Sequence, residues 1–290
     1  MMKNPLFYLF AVCLTLLGLA QCVGFAQADN QPPVNFRDHV SKRLGGEAKL
    51  AEICPIETDV VARRVFKDYG AMFIAAKDVR HPPRCVFANE DEVSLFQSSL
   101  TARREMLGGR EIELQQTAMN ALLKAHAAAA KRKLTITPRG ASAARRSYAD
   151  THRIWISRFD PALRYWVARG RIKTEDAEKT AKLETNLQVA QVIEWEMDSI
   201  WFSTGFNRTI FSSVAAPGTS QHLSMIALDV AEFGNKEVRA ILNRHGWFQT
   251  IIDDTPHFTY LGLEENELPK RGLIAVAKDG FIFWIPNFER

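Results

Sequence analysis

PGTSQHLSMIALD, residues 217–229, is the stretch on which the fold and the chemistry both turn. Pro217-Gly218-Thr219-Ser220 interrupts regular structure just ahead of His222. Asp229 follows that histidine by seven residues, and the spacer is mostly apolar. Such a spacer predicts a buried strand. Histidine and aspartate are both metal ligands, so a third ligand has to come from elsewhere in the chain.

Seven histidines are available. His39, His81, His126, His152 and His245 stand in charged or loop-like surroundings and read as solvated or core-satisfied side chains. His257 differs, lying in DDTPHFTY (residues 253–260) with apolar residues before and after it. His222, Asp229 and His257 therefore form a candidate ligand set. Two imidazoles and a carboxylate suit one Zn²⁺ per chain, with a fourth position left for water. The chemistry then needs an unligated carboxylate to take a proton from water and hand it to a leaving amine. Asp254, three residues before His257, is placed for that role, with Asp253 as its competitor. On a continuous strand Asp254 and His257 would point to opposite faces, so Thr255-Pro256 must turn the chain between them.

With both stretches in view, a resemblance emerges. PGTSQHLSMIALD is similar to the zinc signature of the VanY-type D-alanyl-D-alanine carboxypeptidases, Pro-Gly-x-Ser-x-His followed by Gly-x-Ala-x-Asp. DTPHFTY is similar to their second signature, Glu-x-x-His with an aromatic residue and a nearby tyrosine. The resemblance implies that His222, Asp229 and His257 bind zinc and that Asp254 is the general base. Ser220 falls on the family serine and is implied as a substrate contact. Two positions depart from the pattern: Met225 replaces the family glycine, and Asp254 replaces glutamate, one methylene shorter. The family also holds substrate with an arginine. Arg146, in Arg146-Ser147-Tyr148 with Thr151 at a position where the family has glutamine, and Arg139, after Leu134-Thr135-Ile136-Thr137, are the two candidates. Either guanidinium fork would match the free carboxylate of a terminal D-alanine. The implied substrate is a peptidoglycan stem peptide or another short peptide containing D-amino acids. The resemblance is specific over residues 134–262.

The whole chain sets the frame. Its 290 residues are 47% apolar and 24% charged, with a formal net charge of +4. That is ordinary globular composition, and the mild basic excess is no nucleic-acid footprint. Lys3, the apolar LFYLFAVCLTLLGLA and Ala26-Gln27-Ala28 predict a secretory signal peptide over residues 1–28, hence a secreted or periplasmic protein with no membrane span after cleavage. A retained membrane anchor is the alternative. Cys54 and Cys85 are the two cysteines beyond that segment, and in an oxidising compartment they are expected to pair.

The element pattern predicts an α+β fold, a small antiparallel sheet carrying the zinc site with helices packed around it. Residues 29–133 read as a mostly helical elaboration and residues 134–290 as the catalytic region. Residues 29–45 read as a loose lead-in, and helices are expected over Val60–Tyr69, Glu111–Lys133, from Ala143, over Thr174–Trp201 and over Lys236–Arg244. Leu134–Thr137 and Cys85–Phe87 read as strands, Phe248–Leu261 as extended, and Asp279-Gly280 as a hairpin turn. A serine-type peptidase is excluded because no serine has a lysine three residues on. The readings that stand are a secreted zinc peptidase and a zinc-binding module that has lost its chemistry.

Overall fold

Five of the nine described α-helices begin where a short polar side chain accepts from the open N–H groups of the first turn. The computed structural model describes residues 34–288, so the predicted signal peptide lies outside the described residues. The first helices are α1 (Phe36–Leu44), α2 (Glu47–Ile53), α3 (Val60–Tyr69) and α4 (Glu90–Ser98). Asn35 caps α1, Asp59 caps α3 through two N–H groups, and Asn89 caps α4. A hairpin follows, β1 (Ala102–Leu107) and β2 (Arg110–Gln115), then α5 (Gln116–Ala130). The next helices are α6 (Tyr148–Ala168), opened by a capping box between Ser147 and Asp150, α7 (Thr174–Ala181) and α8 (Thr185–Met197). The chain ends in β3 (Ala227–Asp229), α9 (Lys236–Arg244), β4 (Trp247–Phe248), β5 (His257–Tyr260) and the hairpin β6 (Leu273–Lys278) and β7 (Phe281–Pro286).

The fold is α+β, with small antiparallel sheets and helices packed on them. One sheet matters most: its strand order is β3-β5-β4, and Asp229 of β3 lies directly opposite His257 of β5. Every residue of β5 is buried, so the strand has no solvent-facing side and reads as a continuous buried segment rather than an alternation. The described residues, 34–288, pack as one compact unit. Its main core runs from Phe36 to Trp284, and a small satellite of Phe87, Val93, Phe96 and Leu223 sits apart from it. The Phe36 N–H donates to the Asn287 carbonyl at 3.0 Å, and Asn287 Nδ2 donates to the Val34 carbonyl at 3.0 Å, so the first and last described residues meet.

Cys54 and Cys85 form a disulfide, with Cα atoms 5.1 Å apart. The Cys85 N–H donates to the Ile53 carbonyl at 2.8 Å, so backbone pairing holds the bridge's two ends in reach. No described helix is long and apolar enough to cross a membrane.

Several elements differ from the sequence expectation. Residues 36–44, expected to be loose, form α1 because Asn35 caps it and Phe36 and Val40 bury into the core. The long helix expected over Glu111–Lys133 begins at Gln116, because Gly108 and Gly109, at φ 56° and 75°, turn the preceding segment into a hairpin. Leu134–Thr137 is not a strand; the pairing there is one bridge between Pro138 and Val230. Cys85–Phe87 is likewise irregular. The helix expected from Ala143 starts at Tyr148, after a strap whose carbonyls are used by the metal group. The helix expected over Thr174–Trp201 is broken at residues 182–184 into α7 and α8.

Candidate metal centre

Pro217-Gly218-Thr219-Ser220 is a close-approach loop. Gly218 has φ +80°, and a Cβ there would lie 2.1 Å from the carbonyl oxygen of Phe87. Phe87 N–H donates to the Gly218 carbonyl at 2.9 Å, and Gly218 N–H donates to the Thr151 hydroxyl at 3.2 Å. Glycine is thus required twice over, by handedness and by space. The Ser220 hydroxyl then accepts from His222 N–H at 3.4 Å and caps a short 3₁₀ turn, Gln221–Ser224. Met225 closes that turn in the left-handed region at φ 55°, and β3 carries the chain on to Asp229. The six-residue spacer is therefore the end of a helical turn, a left-handed residue and the start of a strand, not a strand throughout.

Three ligand atoms converge. His222 Nε2 and His257 Nδ1 are 3.2 Å apart, and each is 3.4 Å from Asp229 Oδ1. Metal–ligand bonds of about 2.0–2.1 Å at tetrahedral angles would set neighbouring ligand atoms about 3.3–3.4 Å apart. The observed triangle has those edges.

The outer atoms of both rings fix which nitrogen is left bare. His222 Nδ1 lies 2.6 Å from the Ala144 carbonyl, which can only accept, so Nδ1 carries the proton and Nε2 the lone pair. His257 Nε2 lies 2.8 Å from Gln221 Oε1. The orientation of that amide is set at its other end, where Gln221 Nε2 donates to the Tyr69 carbonyl at 2.8 Å. The Thr259 hydroxyl donates to the same Gln221 oxygen. His257 Nδ1 is therefore bare as well. Two imidazole lone pairs and a carboxylate oxygen face one another with no proton between them, and a cation is what completes such a set. Burial, with Arg146 adding to it, lowers the His222 pKa to about 4, which keeps the ring neutral. Burial acts to raise Asp229, but the Arg146 guanidinium, 2.6 Å from its Oδ2, holds the carboxyl below the usual range.

A strap over residues 142–146 builds the outer shell. The Ala143 carbonyl accepts from Asp229 N–H at 2.8 Å, and Ala144 holds His222. Arg146 Nη2 donates to Asp229 Oδ2 at 2.6 Å while its Nε donates to the Ser142 carbonyl at 2.9 Å. That leaves Oδ1 as the Asp229 oxygen facing the histidines. Such outer contacts orient ligands and tune their basicity.

Asp254 sits on the flank. His257 N–H donates to the Asp254 carbonyl at 3.2 Å, closing a turn over Asp254-Thr255-Pro256-His257 in place of the continuous strand that would have separated the two side chains. The Asp254 carboxyl makes no hydrogen bond or ion pair among the described residues. Burial pushes its pKa up to about 7, with the negative charge of Asp229 reinforcing the shift and the guanidinium groups of Arg146 and Arg139 opposing it. Asp253, by contrast, is engaged with Lys278 at 2.6 Å.

The remaining predicted residues fall in distinct places. Arg146 is committed to Asp229. The Arg139 backbone N–H donates to the Asp229 carbonyl at 2.8 Å, while its exposed guanidinium lies over the Phe233 ring and makes no hydrogen bond or ion pair among the described residues. Its charge is felt at Asp254. Ser220 is buried and acts on the backbone of the ligand turn. Reading the sequence alone missed Ala143, Ala144, Gln221 and Thr259. Thr259 had a signal, since strand alternation puts it on the face of His257; a carbonyl donor such as Ala144 has none.

No protein-family model matches the chain, and no curated protein matches it. Among solved structures, it is similar to a mutant of a vancomycin-resistance D,D-pentapeptidase, VanY, from a VanB-type resistance cassette in complex with Zn(II). Identity is 16% and the TM-score 0.33, over 60% of this chain and 85% of that one. It is also similar to VanYB in complex with D-alanine-D-alanine, at 19% identity and a TM-score of 0.34, over 59% of this chain and 83% of that one.

Proposed function

We propose that this chain is a secreted or periplasmic zinc-dependent peptidase that hydrolyses peptidoglycan stem peptides in the manner of a D-alanyl-D-alanine carboxypeptidase. The observation that carries the reading is the triangle of bare ligand atoms on His222, Asp229 and His257, with the unpartnered carboxyl of Asp254 beside it. When bound, zinc supplies Lewis-acid polarisation of a scissile carbonyl and lowers the pKa of water. His222, Asp229 and His257 hold the ion, and the Ala144 carbonyl, Gln221 and Arg146 keep them aimed.

Asp254 accepts the proton of the attacking water and returns it to the departing amine. Arg139 offers a cation on the Asp254 side with no anion to neutralise it, and a substrate's terminal carboxylate is a matching partner. Arg146 has its Nη2 on Asp229 and therefore orients a ligand rather than reaching for substrate.

The alternative, a zinc-binding module without turnover, draws on the shorter Asp254 side chain. A displacement of about 1 Å at a reacting group can cost about 100-fold. Incubating zinc-loaded protein with a stem pentapeptide ending in D-Ala-D-Ala separates the two. Release of D-alanine that disappears in Asp254→Ala supports the peptidase. Stoichiometric zinc with no release of any product from the pentapeptide favours the module.

A further inference from the structure

A cavity of about 830 Å³ opens away from the metal group, and none of the ligand residues lines it. Four cations do: Arg43, Lys77, Arg80 and Arg84. Glu92 is the one carboxylate among its lining residues, and it is already paired with Arg84 at 2.8 Å. Arg80 donates to the Ser99 carbonyl at 2.9 Å and Arg43 to the Ala75 carbonyl. Those partners fix the guanidinium groups in place but carry no charge to cancel theirs. Lys77 makes no hydrogen bond or ion pair among the described residues.

The field inside is therefore positive. His81, on the same wall, registers it: burial first, then the charges of Arg43 and Arg80, hold its pKa below the usual value. Crowding three unneutralised cations around one space is unfavourable unless something anionic enters it.

Apolar side chains complete the lining. Phe87 and Phe96 lie with ring centroids 5.5 Å apart, and Leu95 stands at the rim, 75% exposed. Small-molecule sites have this make-up, about 300–1,000 Å³ with apolar walls and a few placed polar groups.

We propose that this cavity is a second binding site, for a small amphiphilic anion whose carboxylate or phosphate head is held by Arg43, Lys77 and Arg80 and whose apolar body lies against Phe87, Leu95 and Phe96. It is independent of the peptidase reading, because it uses no residue of the metal group.

Calorimetric titration of the disulfide-bonded protein with decanoate, decyl phosphate, decanol and inorganic phosphate tests it. One of the two amphiphilic anions should bind at one per chain, and the tighter of them names the head group. Decanol, which lacks the charge, and inorganic phosphate, which lacks the chain, should each bind at least about tenfold more weakly. Lys77→Glu and Leu95→Asp, both at exposed positions, should each weaken the anion about tenfold, while His222→Ala should leave it unchanged. Binding of decanol as tight as that of its anionic counterparts, undiminished binding in both Lys77→Glu and Leu95→Asp, loss of binding in His222→Ala, or no binding of either amphiphile would each overturn the proposal.

Discussion

The Ala144 carbonyl oxygen and His222 Nδ1 lie 2.6 Å apart, though 78 residues separate them in the chain. That contact protonates the outer nitrogen and bares the inner one, so a residue with no side-chain chemistry decides which atom of a histidine faces Asp229 and His257.

Metal content is the first consequence. The protein should bind one zinc, and His222→Ala, Asp229→Ala and His257→Ala should each abolish stoichiometric binding, as measured by elemental analysis after dialysis. Because three lone pairs face each other without the ion, chelation should also lower the melting temperature, and added zinc should restore it. A variant that keeps full zinc occupancy removes its residue from the ligand set.

Asp254 is predicted to serve turnover at the expense of stability. Asp254→Asn should keep zinc and lower kcat by about 100- to 10,000-fold, while Asp253→Asn should keep most of both, since its carboxylate is occupied by Lys278. In the chelated protein, the folded-state pKa of Asp254 is raised to about 7. Protonated, the group is tolerated; as pH rises from the unfolded value near 4 through the folded one, stability is lost. Thermal melts of chelated protein should therefore show Asp254→Asn gaining on the parent between pH 4 and pH 8. Parallel melting curves across that range would count against burial of the carboxyl.

Gln221 should matter without touching the ion. Gln221→Leu removes the acceptor that fixes the tautomer of His257 and leaves the Thr259 hydroxyl with the Thr250 hydroxyl, at 2.7 Å, as its partner. Zinc affinity, read by competition with a chromophoric chelator, should fall by about 10- to 100-fold. Gln221→Glu retains an acceptor for the His257 N–H and should recover part of it. Equal affinity in all three proteins would mean that the ring is held by the strand alone.

Gly218→Ala should destabilise the fold by at least about 3 kcal/mol, because positive φ and the Phe87 carbonyl both oppose a side chain. Denaturant melts measure this. A loss below about 1 kcal/mol would mean that the loop yields easily.

Opening the Cys54–Cys85 bridge, which closes a loop of sequence separation 31, should cost about 3.7 kcal/mol in the chain-entropy model. Comparing denaturation of Cys54→Ser/Cys85→Ser with the parent gives the figure, and thiol titration of the denatured, unreduced parent should find neither cysteine free.

What the sequence shows of this site follows from how local each signal is. That His222, Asp229 and His257 belong together was readable because two short stretches carry them. The Asp279-Gly280 turn was readable because both residues take positive φ, at 50° and 79°, in the two-residue loop between β6 and β7. α3 and α9 span the predicted residues because caps and apolar spacing agree there. Arg146 drew notice as a candidate for substrate rather than as the partner of Asp229, and the strap's carbonyls at Ser142, Ala143 and Ala144 were not readable, because a backbone carbonyl leaves no mark in the sequence. Met225 marks the limit from the other side. A left-handed position usually asks for glycine, yet a buried Met occupies it. Burying a methionine gains about 1.5–3 kcal/mol, more than the roughly 1–2 kcal/mol the backbone loses.

The pairing of Phe36 and Val34 with Asn287 leaves the fold nearly a closed ring. A short linker from residue 288 to residue 34 would need to span little distance, and new ends could be opened at the exposed Asp279-Gly280 turn. In such a circular permutant the strap, the ligand turn, the Asp254 turn and β5 would stay on one uninterrupted stretch of chain. The metal centre belongs to the interior of the connectivity and is indifferent to where translation starts.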